Sequence, residues 1–328
     1  MKIQHLLVVL LCTMAFSTAK GEVLKFGTDN KFKIVQFTDV HYQFGNPKSA
    51  VAIELITEVL EREKPNFVVF TGDVVFAKPA IEGLKEVFAP LLERNIPFTM
   101  VFGNHDNEFD ASHEKLFAFL QTMPLCQVCS DGPLSGWTNY ALPIKSVDKK
   151  RDAAALYCLD SHSYSKIKGI EGYDYIKRDQ INWYCQQSQA FTKSNNNTPL
   201  PSLSFFHIPL PEYQMAVSDQ SVTMRGIRRE IACSPKLNSG LFAAFKECGD
   251  VMGIFVGHDH DNDYAVAWQG ILLCYGRYTG GDTVYNNLEN GARVIELTQD
   301  QREFKSWIRL KGNRIEQMSC FPSDFTKK

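Results

Sequence analysis

Apolar and polar positions alternate along the first third of the chain in a pattern that separates strands from helices. Lys33–Phe37, Phe67–Phe70 and Phe98–Phe102 are short β-rich apolar runs. Between them, residues 50–63 carry Ile53, Ile56, Val59 and Leu60 at helical spacing, and a second helical stretch covers residues 81–94. Strand-length runs separated by helices of this length predict βαβ units around a sheet. The middle of the chain adds three more runs, Ala153–Leu159, Leu203–Phe206 and Val251–Val256. The tail reads as consecutive strands over Tyr264–Trp268, Ile271–Tyr275, Ala292–Leu297 and Glu303–Arg309. This predicts an α/β protein in which a second sheet packs on the first and both share one core.

The residues just past each strand matter more than the strands themselves. The runs end at Asp39-Val40-His41, Gly72-Asp73, Gly103-Asn104-His105-Asp106, Asp160-Ser161-His162, His207 and Gly257-His258-Asp259-His260. Carboxyl ends of strands are where ligands gather in sheet-based α/β proteins. Carboxylate, imidazole and amide oxygen together suit divalent or trivalent metals. Of eight histidines, five (41, 105, 207, 258 and 260) lie in these motifs. A lone strand-end Asp usually caps a turn and a lone His is usually a satisfied polar residue. No packing requirement calls for all of these motifs in one order.

As a set they resemble the calcineurin-like metallophosphoesterase superfamily, whose signature is D-x-H, G-D, G-N-H-[DE], a later H, and G-H-x-H. The match runs from Asp39 to His260. Phe206-His207-Ile208-Pro209-Leu210-Pro211-Glu212 and the stretch 257–263 are most like the single-domain branch related to purple acid phosphatases. The resemblance implies a four-layered αββα sandwich of two mixed sheets. It also implies two metal ions (iron, zinc or manganese): Asp39, His41 and His260 on one, Asn104, His207 and His258 on the other, with Asp73 bridging. Purple enzymes place a ligating Tyr three residues after that aspartate. Here the position is Phe76, which cannot ligate, while His41 supplies a ligand they lack. A two-metal centre without a tyrosinate absorption band is the expectation.

A bridging hydroxide would attack phosphorus, since paired ions acidify bound water and neutralise phosphoryl oxygens. His105 is then the candidate acid for the leaving oxygen. Asp106 could orient that ring or serve equally well as a cap. Arg277, after a strand and among glycines, is a candidate contact for substrate phosphate. The expected activity is hydrolysis of a small phosphomonoester. The alternatives are a phosphodiesterase acting on cyclic nucleotides, nucleotide diphosphates or phospholipid headgroups, and a non-catalytic protein-binding member.

The ends of the chain and its composition bear on compartment. Met1-Lys2, the apolar run Leu6–Leu11 and Ser17-Thr18-Ala19 read as a secretory leader over residues 1–19. The run is shorter than the ~20 residues that span a bilayer, and no other stretch suggests a stable membrane span. Residues 20–328 would then form one domain, delivered outside the cell or to a secretory or lysosome-like lumen. Without the leader the chain carries 34 Lys and Arg against 37 Asp and Glu, a net charge of −3. No basic run is present, which argues against a nucleic-acid polymer as partner. Eight cysteines remain and suggest disulfides, of which sequence cannot choose the pairing. Asn196-Asn197-Thr198, in a polar stretch read as a loop over residues 193–198, is a glycosylation sequon at Asn196.

Overall fold

The computed structural model describes residues 23–326, so the leader expected over residues 1–19 lies outside the described residues. In chain order the strands are β1 (Lys31–Phe37), β2 (Phe67–Thr71), β3 (Phe98–Val101), β4 (Tyr140–Lys145), β5 (Asp152–Cys158), β6 (Ser202–Phe205) and β7 (Met224–Arg225). They continue with β8 (Val251–Val256), β9 (Ala265–Trp268), β10 (Ile271–Tyr275), β11 (Gly291–Thr298), β12 (Phe304–Leu310) and β13 (Arg314–Phe321). The helices are α1 (Ala50–Glu63), α2 (Ala80–Glu93), α3 (His113–Thr122), α4 (Arg178–Ser194), α5 (Pro211–Ser218) and α6 (Leu241–Cys248).

Two mixed sheets form. The first has the order β13-β12-β11-β1-β2-β3 and the second β4-β5-β6-β8-β10-β9-β7. The tail therefore does not make a sheet of its own. β9 and β10 stay with the second sheet, whereas β11 crosses to pair antiparallel with β1, matching Val35 with Val294 and Ile34 with Ile295. Consecutive apolar strands carry no mark of which sheet they join, because strands buried on both faces read alike.

The layers follow from side-chain alternation. In β10, Leu272 and Cys274 enter the core between the sheets, while Ile271, Leu273 and Tyr275 face the cluster beneath α4–α6. Phe255 of the second sheet meets Phe304 of the first at a ring distance of 5.8 Å. α1 buries Ala52, Leu55, Ile56, Val59 and Leu60 on one face, the spacing that an amphipathic helix needs to lie on a sheet. It stops at Lys64, which turns left-handed while its N–H caps the Leu60 carbonyl. The result is the α-β-β-α order of layers.

β1, β2 and β3 run parallel, as do β5, β6, β8 and β10. Each sheet thus delivers several strand ends in one direction, and the residues just past them carry the site. All eight described cysteines are free thiols, with Cys158 and Cys274 buried, so the structure holds none of the disulfides that their number suggested. Asn196 is exposed just past α4, which continues to Ser194 and so takes in the start of the polar stretch read as a loop.

Candidate metal centre

Tight backbone turns past the strands set the site. Asp39, His41, Asp73 and His258 all sit at positive φ, 51°, 43°, 51° and 80°. Such backbone is costly for residues with a Cβ, about 1–3 kcal/mol each, and persists only where the surroundings over-determine it. Here they do. The loops after β1 and β2 pair directly, Asp39 N–H to the Gly72 carbonyl and His41 N–H to the Asp73 carbonyl, at 3.1 and 2.9 Å. Asp39 Oδ2 accepts from Thr38 Oγ1 at 2.7 Å and from the His258 N–H at 3.0 Å, tying the two sheets together. Gly257 allows that approach by its lack of bulk: a Cβ there would collide with Thr38 Oγ1 and Asp39 Oδ2.

Two groups of ligand-type atoms result, Asp39 with His41 and His260, and Asp73 with His207 and His258, all buried. In the first, His41 Nε2 and His260 Nε2 face each other at 3.1 Å, and His260 Nε2 lies 3.7 Å from Asp39 Oδ1. In the second, His207 Nε2 lies 3.2 Å from His258 Nδ1, 3.2 Å from Asn104 Oδ1 and 3.2 Å from Asp73 Oδ2. The same Asp73 oxygen is 3.7 Å from His41 Nε2. Asp73 therefore spans the groups with one oxygen; its other, Oδ1, accepts the His105 N–H at 2.8 Å.

Tautomers are fixed from behind. His207 Nδ1 donates to the Thr71 carbonyl at 2.7 Å and His260 Nδ1 to the Tyr285 carbonyl at 2.8 Å, leaving each Nε2 with its lone pair inward when the ring is neutral. His41 Nδ1 and His258 Nε2 are buried without a hydrogen-bond partner. Burial holds His41 and His258 well below the usual imidazole range. Burial pushes Asp73 upward, but the neighbouring His207 outweighs it and keeps the carboxyl well below its usual range. Burial would likewise lower His207, and Asp73 raises it instead. Imidazole nitrogens aimed at each other and at shared carboxylate oxygens fit two cations, whereas internal hydrogen bonds between the rings would leave His41 Nδ1 and His258 Nε2 unpartnered.

The structure separates the other predicted residues by role. His105 is part-exposed, its ring 5.7 Å from that of His41. Its charged neighbour is Glu108, whose Oε2 lies 2.8 Å from Nδ1 without hydrogen-bond alignment. Asp106 does not orient that ring. It accepts four backbone N–H groups instead, from Asp73 at 3.0 Å, Val74 at 2.7 Å, Val75 at 3.1 Å and Gly103 at 2.8 Å. Burial first, and the Asp73 charge second, push its pKa up to about 7. Arg277 does not reach the site either. It is buried against Asp263, Nη1 to Oδ2 at 2.7 Å, and its Nε donates to the Glu289 carbonyl at 2.9 Å. Buried at 2% exposure and paired with Asp263, Arg277 does not present its guanidinium to a phosphate. His162 is structural, 2.8 Å from Gln180 Oε1, and His113 stacks on Phe102 at 4.5 Å.

These strand-end motifs match the calcineurin-like phosphoesterase family over residues 32–262. The chain belongs to that family. Within it, the chain is 32% identical over 323 residues to the protein named probable inactive purple acid phosphatase 14 of Arabidopsis thaliana, covering 87% of this chain and 79% of that one. It is 32% identical over 326 residues to phosphatase DCR2 of Saccharomyces cerevisiae, covering 87% of this chain and 54% of that longer protein. A dimetal phosphatase from Danio rerio has the same fold, with a TM-score of 0.61 at 13% identity over 88% of this chain and 99% of that one. Family membership, two sheets and two candidate metal-binding groups thus agree on a metal-dependent phosphoesterase architecture.

Around the candidate metal groups the sequence marked Phe76 but not the tyrosines beside it. Phe76 stands edge-on to His41 and His105, with ring distances of 5.3 and 5.1 Å, filling space where a ligating phenol would stand in purple enzymes. Tyr173 stands edge-on to His258 at 4.3 Å, and Tyr285 stacks on His260 at 4.4 Å. Both tyrosines lie in irregular loops, so no periodicity marked them. Asp261 and Asn262 each pin a further loop to the turn. Asp261 Oδ1 accepts the Asn287 N–H at 2.6 Å, and Asn262 Oδ1 accepts the Arg229 N–H at 3.1 Å.

Proposed function

We propose that the protein hydrolyses phosphate monoesters of small molecules with two metal ions held by Asp39, His41, His260, Asp73, Asn104, His207 and His258, after entering the secretory pathway through the leader over residues 1–19. The observation that carries this reading is Asp73 Oδ2, 3.2 Å from His207 Nε2 and 3.7 Å from His41 Nε2. A carboxylate oxygen shared between the two groups would help to hold paired cations. Bound there, paired cations supply Lewis acidity toward phosphoryl oxygens and an acidified water as nucleophile.

The chain's own residues supply the rest. Asp39 holds the His258 turn against the first sheet, so the ligands of the two sheets keep a fixed spacing. Asp106 locks the Gly103 and Asp73 loops by its four accepted N–H groups. His105 hangs from Asp73 Oδ1 by its backbone, with its ring at the mouth of the site. With Glu108 beside Nδ1, Nε2 is the atom left to donate a proton to the departing oxygen.

A non-catalytic reading has one observation in its favour, the word "inactive" in the name of the Arabidopsis thaliana relative. Against it stand the full ligand set and a reachable His105. One panel separates the readings: metal-loaded protein assayed with p-nitrophenyl phosphate, bis-p-nitrophenyl phosphate and cyclic AMP, beside an Asp73→Asn control. Turnover of the monoester that the control loses supports the proposal. Turnover of diesters alone moves the assignment to a phosphodiesterase. No turnover anywhere favours the binding reading.

A further inference from the structure

The rings around the metal centre are more than packing, because several present a free face to solvent. Tyr285 is 57% exposed although its backbone carbonyl and ring are both engaged by His260. Its hydroxyl reaches Glu230 Oε2 at 3.3 Å, a third contact that fixes the ring's orientation. Tyr164 is 47% exposed; its hydroxyl lies 3.5 Å from Asn104 Nδ2 and its ring stacks on Tyr173 at 5.7 Å. Tyr173 in turn stands edge-on to His258. Phe109 is 45% exposed and packs edge-on to Phe76 at 5.3 Å, next to His105.

Leaving large aromatic faces in water forgoes the burial that drives folding, about 25 cal/mol per Å² of apolar surface. Rings scattered singly over a surface need no explanation. These are not scattered: each is one or two contacts from a candidate ligand, and two of them are fixed by a hydrogen bond or a stack at one face. The charged side chains that accompany them are carboxylates, Glu108 at His105 and Glu230 at Tyr285. Lys166 and Lys168, two and four residues past Tyr164, are exposed cations of the same loop. Such a mouth offers a flat group a stacking face beside the candidate ligands.

We infer that the organic part of the substrate is a planar aromatic ring system, with nucleoside monophosphates as the biological class, stacked on Tyr164 or Tyr285 while its single phosphate lies on the metal pair. The inference rests on the phosphoesterase reading for the position of the phosphate, and on the rings alone for the aromatic preference. Base–aromatic stacking is worth about 1–3 kcal/mol per ring by alanine substitution, which corresponds to about 5- to 150-fold in affinity.

The test compares adenosine 5′-monophosphate with glycerol 3-phosphate, equal in phosphate charge, on metal-loaded wild type, Tyr164→Ala and Tyr285→Ala. Binding is read by calorimetry and turnover by phosphate release. Wild type should bind the nucleotide at least about fivefold more tightly, and at least one variant should lose that preference while its affinity for glycerol phosphate is unchanged. Equal affinity of wild type for both ligands overturns the inference. So does an equal loss for both ligands in the variants, which would mark a structural role. Preferential binding without turnover keeps the aromatic inference and removes the phosphoesterase reading; turnover without preference does the reverse.

Discussion

The turn over residues 257–263 borders two buried polar clusters that differ in one respect. On one side, His258 and His260 join His41 and His207, with nitrogens facing nitrogens and two ring nitrogens that have no partner. On the other, Asp263 takes Arg277 Nη1 at 2.7 Å and Gln317 Nε2 at 2.7 Å, while Arg293 Nη2 donates to the Asp263 carbonyl at 2.6 Å. Both clusters are buried. Unsatisfied buried groups cost about 1–3 kcal/mol each, so two of them among facing imidazoles and carboxylates call for an explanation, and a bound cation supplies one. The paired cluster is scaffold and the unpaired one is the candidate site. From sequence, Arg277 and His258 look alike as polar residues past strands; only their partners tell them apart.

That contrast can be broken by substitution. Asp73→Asn removes the charge on the oxygen shared by both groups, and kcat/KM should fall by at least about 10³-fold, the equivalent of several kcal/mol of transition-state stabilisation. Activity within tenfold of wild type would place the chemistry elsewhere. Arg277→Ala strands Asp263 as a buried, unpaired charge and should cost about 3–5 kcal/mol of stability in denaturant unfolding. The folded fraction should keep the wild-type KM; a raised KM with unchanged stability would return Arg277 to the substrate. His105→Ala should keep its metal and lose about 10²-fold in kcat, most for substrates with poor leaving groups. An unchanged kcat on an alkyl phosphate would remove His105 as the acid. The smallest effect is spectroscopic. With Phe76 beside His41 in place of a phenol, iron-loaded protein should show no intense visible band, and purple colour would contradict that reading of the ligand set.

The candidate ligand residues were legible because each lies just past a strongly apolar strand, in a motif whose residue types suit a metal. β8 and β10 were also legible to their end residues, since fully buried strands read as unbroken apolar runs. β4 and β13 were not. Both are edge strands, β4 carrying Pro143 and β13 mostly polar, and an edge needs neither the hydrogen bonds nor the burial that make a strand visible. α4 is hidden for the same reason: its sequence is polar on most of its surface, and only Gln180, Trp183, Tyr184 and Ser188 are buried. The partners of Asp106 and Arg277 were beyond reach, because backbone donors and an aspartate fourteen residues away leave no local pattern. The same holds for Glu108, an unremarkable surface acid until the turn brings it to His105.

Metal content tests the central claim most directly. Elemental analysis of the purified full chain, loaded with iron, zinc or manganese and desalted, should give two ions per chain in wild type and a clear deficit in Asp73→Asn. One ion or none in wild type, with the fold intact by circular dichroism, would contradict a two-metal centre built on Asp73.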